Sequence, residues 1–71
     1  MREVKMALVS MDEAVAVWKC EEALFNKPIS YTQPSQANIK QVAFQTIGDV
    51  DVVRHERCGD DWLIYYTEED K

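Results

Sequence analysis

Pro34-Ser35-Gln36-Ala37-Asn38-Ile39-Lys40-Gln41-Val42-Ala43-Phe44-Gln45-Thr46-Ile47-Gly48 is the stretch whose reading decides the fold. Ile39, Val42, Ala43, Thr46 and Ile47 recur at the spacing of one helix face. Phe44 widens that face, and Asn38, Gln41 and Gln45 occupy the opposite one. Thr32 or Ser35 can accept a hydrogen bond from a free first-turn N–H, and Pro34 suits a first turn because it has no N–H to leave unbonded. Gly48 follows the last periodic residue and tolerates the left-handed geometry that ends many helices. The principal helix is therefore expected at about residues 35–47.

Beyond Gly48 the period falls from 3.6 to 2. Asp49 to Arg57 reads as one strand and Asp61 to Thr67 as another. Gly59-Asp60 between them fits a type II′ hairpin turn, with Gly at the position that needs positive φ. A two-residue turn pairs Cys58 with Asp61, Arg57 with Trp62, His55 with Ile64 and Val53 with Tyr66. That register gathers Val53, His55, Trp62, Ile64 and Tyr66 on a core face. It leaves Asp51, Arg54, Glu56, Leu63, Tyr65 and Thr67 on an outer face. A slip of one residue would exchange the two.

Upstream, Arg2 to Val9 alternates and is rich in strand formers. Ser10-Met11-Asp12-Glu13 matches the capping box, Ser followed three residues later by Glu. Two readings stand for residues 11–26. As a helix, Met11, Ala14, Trp18 and Phe25 form an apolar sector that Glu21 and Glu22 interrupt. As a strand, Ala14-Val15-Ala16-Val17-Trp18 would pair with residues 3–9. The helix is preferred. Asn26-Lys27-Pro28 is a break, and Ile29 to Thr32 is a short extended segment leading to the principal helix.

Seventy-one residues, 46% hydrophobic and 30% charged, make a single small folded domain, residues 1–71. No apolar run approaches the ~18 residues a membrane span needs. The first residues carry charges where a secretory signal would be apolar. A cytoplasmic protein with reduced Cys20 and Cys58 is expected, and a disulfide between them stays open.

The net charge of −5 is unevenly spread. Residues 1–48 hold five acids and five bases. Residues 49–71 hold eight acids and three bases, so the whole excess falls on the C-terminal hairpin and tail. Binding to nucleic acid is disfavoured, because such affinity comes largely from neutralised phosphates. Gly48 and Gly59 are the only glycines, which leaves no phosphate-cradling loop. His55 and Cys58 with Cys20 make half of a metal motif where a structural zinc wants four ligands. Both cysteines lie beside acids, which suppress a thiolate nucleophile. No catalytic residues, metal or cofactor are expected.

Pro28-Ile29, a following helix that carries Ala37, and a strand with Val52, Arg54 and Cys58 share their spacing with one known family. Residues 28–58 resemble the small T7-type phage inhibitors of bacterial RNA polymerase. The likeness leaves out the N-terminal region and the last strand. Gln41 and Gln45 stand where that family's central helix is acidic. What the resemblance implies is a small protein that inhibits by docking.

The expected architecture is α+β: a small antiparallel sheet, made of the N-terminal strand and the C-terminal hairpin, packed on one or two helices. The expected function is that of a non-enzymatic protein-binding module, an inhibitor of phage or mobile-element type. It would set an acidic hairpin on a basic groove of a nucleic-acid-handling protein. Its contact residues would be Asp51, Glu56, Asp60, Asp61, Leu63, Tyr65, Glu68 and Glu69, with Leu63 and Tyr65 as an exposed apolar pair rimmed by charge. The alternative is a structural or homodimeric subunit that uses the Leu63/Tyr65 strand as its interface edge.

Overall fold

The computed structural model describes residues 3–68. In chain order they form β1 (Lys5–Ser10), α1 (Met11–Phe25), α2 (Gln36–Thr46), β2 (Val50–Cys58) and β3 (Asp61–Glu68). The strands make one antiparallel sheet in the order β1-β3-β2. Both helices contribute to a single core against one face of that sheet. This is the expected α+β arrangement. Among the described residues no helix is long and apolar enough to cross a membrane.

Residues 11–25 are helical, not a strand, and two local features account for it. Ser10 adopts an extended backbone and its Oγ accepts the Glu13 N–H at 3.2 Å, capping the first turn. At the other end Asn26 takes the left-handed conformation, φ 54°, and donates its N–H to the Glu22 carbonyl at 2.8 Å. Between the caps, Ala14 and Trp18 turn inward and lose all exposure. Phe25 does not join them. It is 63% exposed, because the chain turns away at Asn26 before another layer can cover it.

Helix α2 starts one residue inside its expected limit. Ser35 is the N-cap and Asn38 completes a reciprocal capping box, so Pro34 lies outside the first turn. Ile39, Val42 and Ala43 are fully buried, as the periodicity requires. Phe44 is not on the core face. It stands 59% exposed on the helix flank. Thr46 is exposed too, its hydroxyl satisfied by the Val42 carbonyl at 2.8 Å.

The hairpin turns at Gly59, whose φ is +62°, a conformation open to Gly at little cost. From there the expected register holds through Cys58–Asp61, Arg57–Trp62 and His55–Ile64. It then breaks at a β-bulge. Tyr66 faces Val52, and Val53 is the extra residue, 52% exposed. The bulge lets Val50 and Val52 turn toward the core while Arg54 and Glu56 stay on the outer face. Val53 is thus not a core residue.

An aromatic relay runs through the core. Trp18 stacks on Tyr31 with centroids 5.7 Å apart. It meets the edge of Trp62 at 6.3 Å, and Trp62 in turn meets His55 at 5.7 Å. The Trp18 indole N–H donates to the Asn38 carbonyl at 3.0 Å, tying α1 to the first turn of α2. Edge and offset contacts of this kind add to area burial.

Candidate partner-binding surface

The face of the sheet turned away from the helices is the candidate site. Its centre is β3, not an edge, because β1 and β2 flank that strand on either side. Leu63 and Tyr65 are accordingly half-buried and not freely exposed. They do not form an interface edge, as the alternative of a strand-edge dimer requires. The edges are β1 and β2.

Register brings two further apolar groups to the same face. Met6 lies opposite Tyr65, and Leu8 opposite Leu63. They are 64% and 60% exposed. Met6, Leu8, Leu63 and Tyr65 therefore form one apolar strip across two strands. The charge-based reading missed Met6 and Leu8. The available signal was the alternation in Lys5-Met6-Ala7-Leu8-Val9, which places Ala7 and Val9 inward once Val9 is known to be buried.

On the β2 side a closed polar cluster bounds the strip. Tyr65 donates its hydroxyl to Glu56 Oε1 at 2.9 Å, and Arg54 Nη2 donates to Glu56 Oε2 at 3.0 Å. The Arg54 guanidinium lies 4.6 Å over the Tyr65 ring. Both Glu56 oxygens are thereby engaged, and its charge is compensated by Arg54. Asp51, opposite Thr67, is half-buried at the far end of the strand.

Asp61 is on the outer face at the hairpin end, where it lies opposite both Ser10 and Cys58. Asp60 occupies the turn, and its carbonyl accepts the Met11 N–H at 2.9 Å. Asp12, at the start of α1, lines the same shallow depression as Asp60 and Asp61. No described cation pairs with any of these three carboxylates. They are the open acidic end of the surface.

Glu68 is not on this face. It alternates with Trp62, Ile64 and Tyr66, and it pairs with Lys5 at 3.0 Å. The Glu68 hydrogen bond, followed by its charge, raises the Lys5 ammonium above its ordinary value. Glu69 lies outside the described residues. Of the eight expected contact residues, Asp51, Glu56, Asp61, Leu63 and Tyr65 share the outer face, and Asp60 adjoins it at the turn.

Comparison with protein-family models, characterised proteins and solved structures gives no match to this chain. Among the described residues no three His, Cys, Asp or Glu side chains are arranged to hold a metal ion, and Cys20 and Cys58 are exposed free thiols on separate elements. His55 packs against Trp62. A second apolar feature is the shallow cleft of about 470 Å³ between α1 and α2, whose lining includes Phe25, Ala37 and Gln41.

Glu22 has a structural task that no sequence pattern announced. Its carboxylate accepts the Tyr31 hydroxyl at 2.6 Å and the Ile29 N–H at 2.8 Å. These bonds, the Tyr31 one foremost, hold the Glu22 pKa below its ordinary value, and the same bond raises that of Tyr31. The interrupting glutamate of α1 thus fastens the connection to α2 and sets Tyr31 against Trp18.

Proposed function

We propose that this chain is a non-enzymatic protein-binding module that docks the outer face of its hairpin on a basic surface of a protein partner. The observation that carries the reading is the pairing of an uncovered apolar strip with an open acidic end. Met6, Leu8, Leu63 and Tyr65 supply contact area, and Asp12, Asp60 and Asp61 supply a field that steers a basic partner. Proteins that handle nucleic acid present such basic grooves. A module seated there excludes the nucleic acid and acts as an inhibitor, the mode expected of a small phage or mobile-element protein.

The test is capture from a bacterial lysate with the tagged protein and with an Asp60→Lys/Asp61→Lys variant. The expected result is one stoichiometric partner that binds nucleic acid, is lost in the variant and is weakened by added salt. The captured partner should bind its nucleic acid less well when the module is present. Capture that survives both charge reversal and salt would overturn the reading.

A further inference from the structure

The two edges of the sheet are built differently. β2 carries the bulge at Val53 and the charged side chains of Asp51, Arg54, Glu56 and Arg57. Bulges and charges are the devices by which natural sheets block strand addition. β1 carries neither. Its six residues pair regularly with β3 from Lys5 to Ser10, without bulge or proline. Its one charge, Lys5, is engaged by Glu68. Its outer side chains, Met6 and Leu8, are the most exposed apolar groups of the sheet. An edge strand leaves alternate N–H and C=O groups directed outward, so β1 offers an unguarded backbone ladder.

Charge decides what that ladder accepts. The net charge of −5 resides in residues 49–71, whereas residues 1–48 are balanced. The open acidic end adjoins β1 only at Ser10, opposite Asp61, and steers a basic partner to that end rather than along the β1 edge. In antiparallel pairing with a second copy, the two acidic ends, each beside its own Ser10, fall at opposite ends of the junction, where they repel least. The alternation is also self-complementary. Antiparallel pairing of two copies about a twofold axis keeps each sheet face with its own kind. Centred on Ala7, it sets Met6 beside Leu8 of the second copy, twice over.

We propose that two copies join edge to edge through β1, forming a continuous six-stranded antiparallel sheet with all four helices on one face. The apolar strips of the two copies then merge across the axis into one surface of Met6, Leu8, Leu63 and Tyr65 from each. Such a junction is small, so micromolar association is expected. It shares Met6 and Leu8 with the docking face but uses neither Asp60 nor Asp61, so Asp60→Lys/Asp61→Lys should leave the dimer intact while it weakens docking.

Sedimentation of the intact protein over a concentration series tests the proposal. Wild type should shift from 8.2 kDa toward twice that mass as concentration rises through the micromolar range. Met6→Lys/Leu8→Lys should stay at 8.2 kDa with its near-ultraviolet Trp signal intact. Phe44→Lys, on the helix layer, should dimerise as wild type does. Amide exchange on wild type supplies a second readout that needs no variant: β1 amides should gain protection with concentration and β2 amides should not. A monomer at every concentration would overturn the proposal. So would a dimer that the β1 variant leaves intact, or one that Phe44→Lys abolishes.

Discussion

Two indoles share the core of this protein, and they should respond unequally to the same substitution. Trp18 is fully buried with its N–H bonded to the Asn38 carbonyl. Trp62 is 4% exposed, and its Nε1 is buried with no hydrogen-bond partner. Replacement by Phe removes about the same volume at each site, for a shared packing cost of about 1–2 kcal/mol. At Trp18 the substitution also forfeits a hydrogen bond with a net value of about 1 kcal/mol. At Trp62 it removes a buried unsatisfied donor, a relief of about 1–3 kcal/mol. A weaker stack under Arg57, whose guanidinium lies 5.4 Å from the Trp62 ring, returns a few tenths of that. Trp18→Phe should therefore cost about 2–4 kcal/mol more than Trp62→Phe. In a domain whose whole stability is about 3–5 kcal/mol, the first variant should lose half of it or more and the second should stay close to wild type. Urea titrations followed by far-ultraviolet circular dichroism measure both, with equal m-values confirming a common unfolded reference. Equal costs, or a larger one at Trp62, would refute the reasoning and mean that the Trp62 N–H has a partner.

Two other outcomes follow from the local geometry. Because the folded-state pKa of Glu22 is lowered, its contribution is complete above the ordinary carboxylate value and is lost as pH falls through the folded value; Glu22→Gln should lose that acid-range slope and expose Tyr31, read by Tyr absorbance and by denaturation between neutral and acid pH. Val53→Lys should change stability by no more than about 0.5 kcal/mol, since the side chain points off the bulge into solvent; a loss of several kcal/mol would restore Val53 to the core.

The sequence was most informative where one residue type had one physical use. Ser35, Gly48 and the Ile39/Val42/Ala43 spacing defined α2, and Gly59 defined the turn and the hairpin register as far as the bulge. It was least informative where two neighbours could serve equally. Val52 and Val53 are both apolar and β-branched, so alternation alone has no means of marking which is the bulged residue. Phe44 and Phe25 have the hydrophobicity of core residues, but two helices on a three-stranded sheet leave no further layer to cover them. Glu22 looked like a fault in an amphipathic helix because its partners, Ile29 and Tyr31, arrive seven and nine residues later. The candidate face was legible through Leu63, Tyr65 and the acids. Its extension onto β1 was not, since strand order is not written in any one strand.

The charge pattern gains a sharper meaning once side chains are placed. A count of acids on the hairpin treats Glu56, Asp61 and Glu68 alike. Geometry separates them: Glu56 is held by Arg54 and Tyr65, Glu68 is held by Lys5, and Asp61 meets no described cation. A carboxylate that already has a cation at 3.0 Å gains little from a partner's Lys, because its existing pair must first be broken. The steering field of this surface therefore comes from its hairpin end, where Asp60 and Asp61 adjoin Asp12. The Arg54–Glu56–Tyr65 cluster does different work. It holds the Tyr65 ring in one orientation before any partner arrives, which lowers the ordering cost of contact. Charge reversal at Asp60 and Asp61 should accordingly slow association, whereas Arg54→Ala should chiefly hasten dissociation by freeing Tyr65.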